Sequence, residues 1–226
     1  MRNLSISRRE VIVHRRKSDL EFDGKYGVDT AGTISLGQLN ISSENYIYGV
    51  RYQPIYAVDF AECLEEFSVP YEQFTFIDFG AGKGRAMILA ATLPFKKIIG
   101  VEFCDELCSV AEDNLTRLTP EQKLCKDISL VHADAADFDL PREDPLILFL
   151  YNPFGRPVME QVASNVAASY EEHPRRVIVL YFTPEHADVW DNIAFLQKRR
   201  ETRGLIIYES EPAAEIGSGT GVLPPS

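Results

Sequence analysis

Ten residues, Phe76-Ile77-Asp78-Phe79-Gly80-Ala81-Gly82-Lys83-Gly84-Arg85, concentrate the chemistry of this chain. An apolar run closes on an acid, three glycines alternate with other residues, and a helical pattern begins at Arg85. A strand, a tight turn and a helix start in that order form a corner suited to a nucleotide. Each glycine lets the backbone approach a ligand where a Cβ would collide. The N–H groups at the helix start, near Lys83 to Arg85, favour a carboxylate. Asp78, Gly80, Gly82 and Gly84 are therefore the first candidate binding residues.

Further candidates follow other apolar runs. Glu102 closes residues 97–102, at a distance of 24 residues from Asp78. A carboxylate there can accept hydrogen bonds from both hydroxyls of a ribose, as the acid roughly 20 residues beyond the glycines does in dinucleotide folds. Asp134, within Val131-His132-Ala133-Asp134-Ala135-Ala136-Asp137, can accept from an adenine amino group, while the N–H of Ala135 reaches a ring nitrogen. Asp137 competes for that role, or caps the loop. Phe103 and Phe138 can flank a base, although aromatics beside strands more often belong to the core. The turn Tyr151-Asn152-Pro153-Phe154-Gly155 adds a planar amide, and Arg51-Tyr52-Gln53-Pro54 supplies an aromatic ring from upstream. The four histidines, at 14, 132, 173 and 186, show no metal spacing, and Cys63, Cys104, Cys108 and Cys125 form no C-x-x-C pair. No metal site is expected, and the thiols read as reduced in a cytoplasmic protein.

Holding these residues together requires alternating strands and helices. Strands are expected over residues 74–79, 97–102, 128–132, 146–151 and 176–182, with a final pair over 195–200 and 205–209. The continuous apolar run at 146–151 predicts burial on both faces. Helices are expected over 56–67, 83–92, 105–118 (with Asp105 as N-cap) and 158–170. Turn chemistry marks 22–27 and 29–32. The glycine-rich tail at 216–221 follows a strand pair and does not read as a phosphate loop. Repeated βα units predict an α/β, doubly wound and mostly parallel Rossmann-like sheet of seven strands with an N-terminal extension. Residues 1–70 are expected to form an arm and lid, and 71–226 the ligand-binding domain. Ligands of such sheets sit at the carboxyl ends of the strands, where each favoured residue of that domain lies.

With 226 residues, 45% of them hydrophobic, the chain can bury a substantial core. No apolar run reaches the roughly 20 residues of a membrane span, and the charged start argues against a secretory signal. Residues 1–17 hold Arg2, Arg8, Arg9, Arg15, Arg16 and Lys17 against Glu10, a local +5, so with a whole-chain net charge of −11 the remaining residues carry −16. An acidic body argues against broad contact with a nucleic-acid backbone. The basic arm reads as solvated and partly disordered.

The stretch 76–181 resembles the class I, seven-strand methyltransferases that depend on S-adenosyl-L-methionine (SAM). Asp78-Phe79-Gly80-Ala81-Gly82-Lys83-Gly84 matches their first motif, Glu102 their ribose-binding acid and Asp134 their adenine-contacting acid. The resemblance implies SAM as cofactor, S-adenosyl-L-homocysteine (SAH) as product, and methyl transfer to a small molecule or protein. Asn152-Pro153-Phe154 is similar to the N-P-P-[YF] motif of amino methyltransferases, with Phe154 in place of the second proline. It also resembles the Asn-aromatic turn of the non-SET lysine methyltransferases. Tyr52-Gln53-Pro54 resembles the Tyr-x-Pro segment that those enzymes place over SAM, with Ile55 where Ser or Thr is common. Asn152 and Tyr52 are thus the expected catalytic residues, Asn152 accepting a hydrogen bond from an amine and Tyr52 closing the pocket. Two alternatives are a nicotinamide-dependent oxidoreductase, which the glycine spacing disfavours, and a non-catalytic SAM-binding module.

Overall fold

The computed structural model describes residues 8–39, 44–65 and 68–210. Arg2 and the glycine-rich tail lie outside these. One seven-stranded sheet organises the chain: β1 (Thr75–Phe79), β2 (Lys97–Glu102), β3 (Ile128–His132), β4 (Leu146–Tyr151), β5 (Val177–Phe182), β6 (Leu196–Glu201) and β7 (Leu205–Ser210). Their spatial order is β3-β2-β1-β4-β5-β7-β6. Strands β1 to β5 pair in parallel, and β7 runs antiparallel to both β5 and β6. The α/β, doubly wound sheet expected from the sequence is the one observed.

Alternation along each strand assigns residues to two cores. Phe76, Ile98, Ile147, Phe149, Ile178 and Leu180 face one layer, with α2 (Ala57–Glu65) and α3 (Arg85–Ala91) packed on it. Ile77, Ile99, Leu148, Leu150, Val179 and Tyr181 face the other, under α5 (Arg156–Glu172) and α6 (Ala187–Asp191). Leu146 to Leu150 are all buried, as a central parallel strand covered on both sides requires. Gly100 in β2 brings α3 close: a Cβ there would meet the Met87 sulfur and lie 2.9 Å from the Leu130 Cδ1. On β6, residues 197–201 are exposed and mostly charged, which blunts the open edge of the sheet.

Several local expectations are corrected. Part of the basic arm is helical: Arg8–Tyr26 forms helix α1. The turn expected at 22–27 is the end of that helix. Gly24 is carried inside it, and Gly27, at φ +70°, closes it with its N–H on the Asp23 carbonyl at 2.8 Å. Phe22, Tyr26 and Val28 then join the core that contains Phe76 and Met87. Helix α3 starts at Arg85 rather than 83, because Gly82 and Gly84 both hold left-handed backbone. Cys104, not Asp105, occupies the N-cap of α4 (Asp105–Arg117). Helix α5 begins earlier than expected, with Pro157 in its first turn, where a missing N–H costs nothing. Helix α6 had no sequence signal, and its Trp190 is fully buried.

Candidate active site

The carboxyl ends of β1 to β4 converge on one cleft. Its walls include Gly80 and Gly82 after β1, Glu102 and Phe103 at β2, Ala133 to Ala135 after β3, and Tyr151 to Phe154 at β4. From the segment expected to be the lid, Leu36, Asn45 and Gly49 to Gln53 also line it. The cleft holds about 730 Å³ of unfilled space including its open mouth. Of the residues singled out by sequence, Tyr52, Gly80, Gly82, Glu102, Phe103, Asp134, Ala135 and Asn152 share this wall; Asp78 and Gly84 lie outside it.

The glycine turn is fastened from below. The N–H groups of Gly80 and Ala81 both donate to the Val101 carbonyl, at 2.9 and 3.0 Å. Gly80, Gly82 and Gly84 have φ of +77°, +56° and +82°, a region that side chains oppose. The space beside each is filled by the protein itself. A Cβ on Gly80 would stand 2.5 Å from the Pro153 Cβ, one on Gly82 would enter the Tyr52 ring, and one on Gly84 would lie 3.3 Å from the Ala111 Cβ. Close approach here is between Gly80 and the β4 turn, and between Gly82 and the lid.

Glu102 is only 4% exposed. Its Oε2 accepts the Gly82 N–H at 2.8 Å, and its Oε1 accepts those of Phe103 and Cys104, each at 3.0 Å. Burial raises its pKa, against these three donors, which favour the ionised form. Asp78, 3% exposed beneath the turn, has its carboxyl pushed up to about 8, first by burial and then by the nearby charge of Glu102. The pair thus divides its roles: Asp78 keeps its proton near neutral pH, and Glu102 is the better-supported anion.

Asp134 accepts the Ala136 N–H on Oδ1 and the Asn45 side-chain amide on Oδ2, both at 2.9 Å. The atom expected to receive an adenine amino group therefore holds a carboxamide from the lid. Asn152 follows β4 at φ +42°, a conformation asparagine tolerates better than most residues. Its Oδ1 accepts from the Tyr181 hydroxyl at 3.4 Å. Thr183, after the neighbouring strand, also has positive φ, +51°. Two left-handed residues thus stand side by side at this sheet edge, since Tyr151 and Phe182 are register partners.

Tyr52 lies flat in the wall. Its ring covers Gly82, its hydroxyl donates to the Thr30 carbonyl at 2.6 Å, and burial raises its pKa far above the ordinary phenol range. These contacts make it a lid anchor. Gln53 donates to the Tyr151 hydroxyl at 2.9 Å and joins the lid to β4. Lys83 pairs with Asp29 at 2.9 Å, and the buried Asn114 amide bonds the carbonyls of both residues, at 2.9 Å to Asp29 and 3.0 Å to Lys83. Asn45 and Asn114 carried no motif, and Gln53 and Asp29 entered only as members of a segment and a turn, because each is recognised only by its distant partner. Among the described residues, no three His, Cys, Asp or Glu side chains cluster as metal ligands, and no helix is long and apolar enough to cross a membrane.

No protein-family model matches the chain, and no curated protein matches it in sequence. Solved structures do resemble it. A predicted N6-adenine-specific DNA methylase from Listeria monocytogenes superposes with a TM-score of 0.52 at 19% identity, over 71% of this chain and 52% of that one. The chain thus spans about half the length of that relative. An RNA methyltransferase from Salinibacter ruber, solved with SAH, matches over 77% of this chain and 98% of that one, with a TM-score of 0.47 at 18% identity. At such identities the likeness is one of fold: the seven-stranded, mostly parallel α/β sheet of this chain is shared with that predicted methylase.

Proposed function

We propose that this chain transfers a methyl group from SAM to a nitrogen of a protein side chain or small molecule. One observation carries the proposal: the glycine turn, Glu102, Asp134 and Asn152 leave four adjacent strands at the same edge and line a single cleft. The cofactor suits this wall. Val101, Leu107, Ala133 and Ala135 offer apolar surface between two acids.

When bound, SAM supplies a methyl on a sulfonium whose charge already activates the leaving group, so the protein's task is alignment. Glu102 would accept from the ribose hydroxyls, held in place by its three backbone donors. Asp134 and the Ala135 N–H would take the adenine edge, with Asn45 giving way at Oδ2. Asn152 would accept a hydrogen from an incoming amine and so orient the nitrogen lone pair. Its left-handed backbone and the Tyr181 hydroxyl fix that amide. The lid, anchored by Tyr52, excludes water. The Asn152 turn favours nitrogen as acceptor. The acidic net charge of −11 disfavours a nucleic-acid acceptor.

Calorimetry with SAH tests the cofactor, and labelled SAM with fractionated extract tests the acceptor. Binding of SAH, with label in the protein or small-molecule pool, is expected. No affinity for SAH or SAM removes the proposal. Label confined to nucleic acid removes its acceptor class. Thermal stabilisation by NAD alone assigns hydride transfer instead.

A further inference from the structure

Thr30 is fully buried where three parts of the chain meet. Its N–H and hydroxyl both donate to the Asp23 carboxylate of α1, at 2.9 and 2.5 Å, and the Ala31 N–H joins them at 2.7 Å. Its Oγ1 accepts from Arg85 Nε at 2.7 Å, and its carbonyl accepts from the Tyr52 hydroxyl at 2.6 Å. Arg85, 2% exposed, pairs with Asp19 and with Asp23 (3.2 Å), and its guanidinium stacks over Phe22 at 4.6 Å. The path from α1 through Thr30 ends on the Tyr52 ring, which covers Gly82, and the Gly82 N–H in turn holds Glu102.

We propose that Thr30, fixed by Asp23 and Arg85, is a positioning residue for the cofactor pocket. By setting the Tyr52 ring on the glycine turn, it makes the N-terminal helix a determinant of how tightly the donor is held. The inference rests on the SAM-binding role proposed above and extends it to residues far from the cleft. Three features favour positioning over simple packing. All three polar groups of Thr30 are engaged, so it has no second arrangement of equal energy. The two hydrogen bonds nearest the cleft, Arg85 to Thr30 and Tyr52 to Thr30, are buried, where an unmade partner is most costly. The chain of contacts terminates on a wall residue and not on the surface.

Breaking Asp23 or Arg85 would leave an uncompensated buried charge and threaten folding. Thr30→Val, Thr30→Ser and Tyr52→Phe are therefore the informative variants of the full chain. Tyr52→Phe keeps the ring and removes only the link to Thr30. Two quantities are read for each: SAH affinity by calorimetry, and the thermal midpoint without ligand. Thr30→Val and Tyr52→Phe are each expected to weaken SAH binding roughly tenfold, and the double variant no further than Thr30→Val alone. Thr30→Ser, which restores the hydroxyl, is expected to bind within about twofold of the wild type. Lower midpoints with SAH affinity unchanged in Thr30→Val and Tyr52→Phe would show a purely structural network and overturn the inference. Should Thr30→Val not fold, Tyr52→Phe decides alone by the same criterion. A wild-type chain that binds no SAH overturns the cofactor assignment itself, a result distinct from equal binding by wild type and variants.

Discussion

Replacing Gly82 by alanine separates two costs that the structure predicts independently. The first is backbone: at φ +56° an alanine gives up roughly 1–2 kcal/mol relative to glycine, whatever surrounds it. The second is steric: the new methyl enters the Tyr52 ring, and forcing extra volume into a packed site costs about 1–3 kcal/mol. The total is about 2–5 kcal/mol, within reach of urea unfolding. In a Tyr52→Ala background the ring is gone, and only the backbone cost of about 1–2 kcal/mol should remain. The cycle of four proteins therefore yields a coupling of about 1–3 kcal/mol, the size of the steric cost. SAH calorimetry on the same proteins should show weaker binding by both single variants, because either change displaces the lid from the turn. Equal destabilisation by Gly82→Ala in both backgrounds would refute the argument that the protein, and not a ligand, occupies the space beside this glycine.

Thr183 holds left-handed backbone with a β-branched side chain, so Thr183→Gly should stabilise the fold by about 1 kcal/mol in chemical denaturation. Asp78 has a folded pKa raised to about 8, above its unfolded value, so its contribution to stability is complete below about pH 4 and is lost as pH rises through about 8. Asp78→Asn should therefore lose at least about 1 kcal/mol less than wild type between pH 5.5 and pH 8, measured by urea midpoints; parallel pH profiles would contradict the assignment. Asn45→Ala frees Asp134 Oδ2 from the lid carboxamide and should raise the SAH association rate roughly tenfold in stopped-flow measurements, leaving the dissociation rate unchanged.

The sheet was legible because its signals are local. Leu146-Ile147-Leu148-Phe149-Leu150 reads as a strand covered on both faces, and the glycine turn announces the change from strand to helix. Parallel strands end at one edge, which is why Glu102, Asp134 and Asn152 were expected together there, and one cleft does gather them. In the N-terminal third only α2 was legible. Helix α1 exposes Leu20 while burying Phe22 and Tyr26, and it carries Gly24 within it, so turn chemistry masked its true end. Its anchors join residues 55 to 66 positions apart, Arg85 to Thr30 and Arg85 to Asp19, and no short window contains both partners. The lid amide on Asp134 is likewise a contact over 89 positions.

Pro153 and Tyr52 fill the flanks of Gly80 and Gly82 with the chain's own atoms. A descendant stripped of all affinity for such molecules would still be held to those glycines by its own architecture. Persistence of the turn in an evolving lineage would then document inherited scaffolding, and the same holds for Glu102, whose carboxylate ties down three backbone N–H groups.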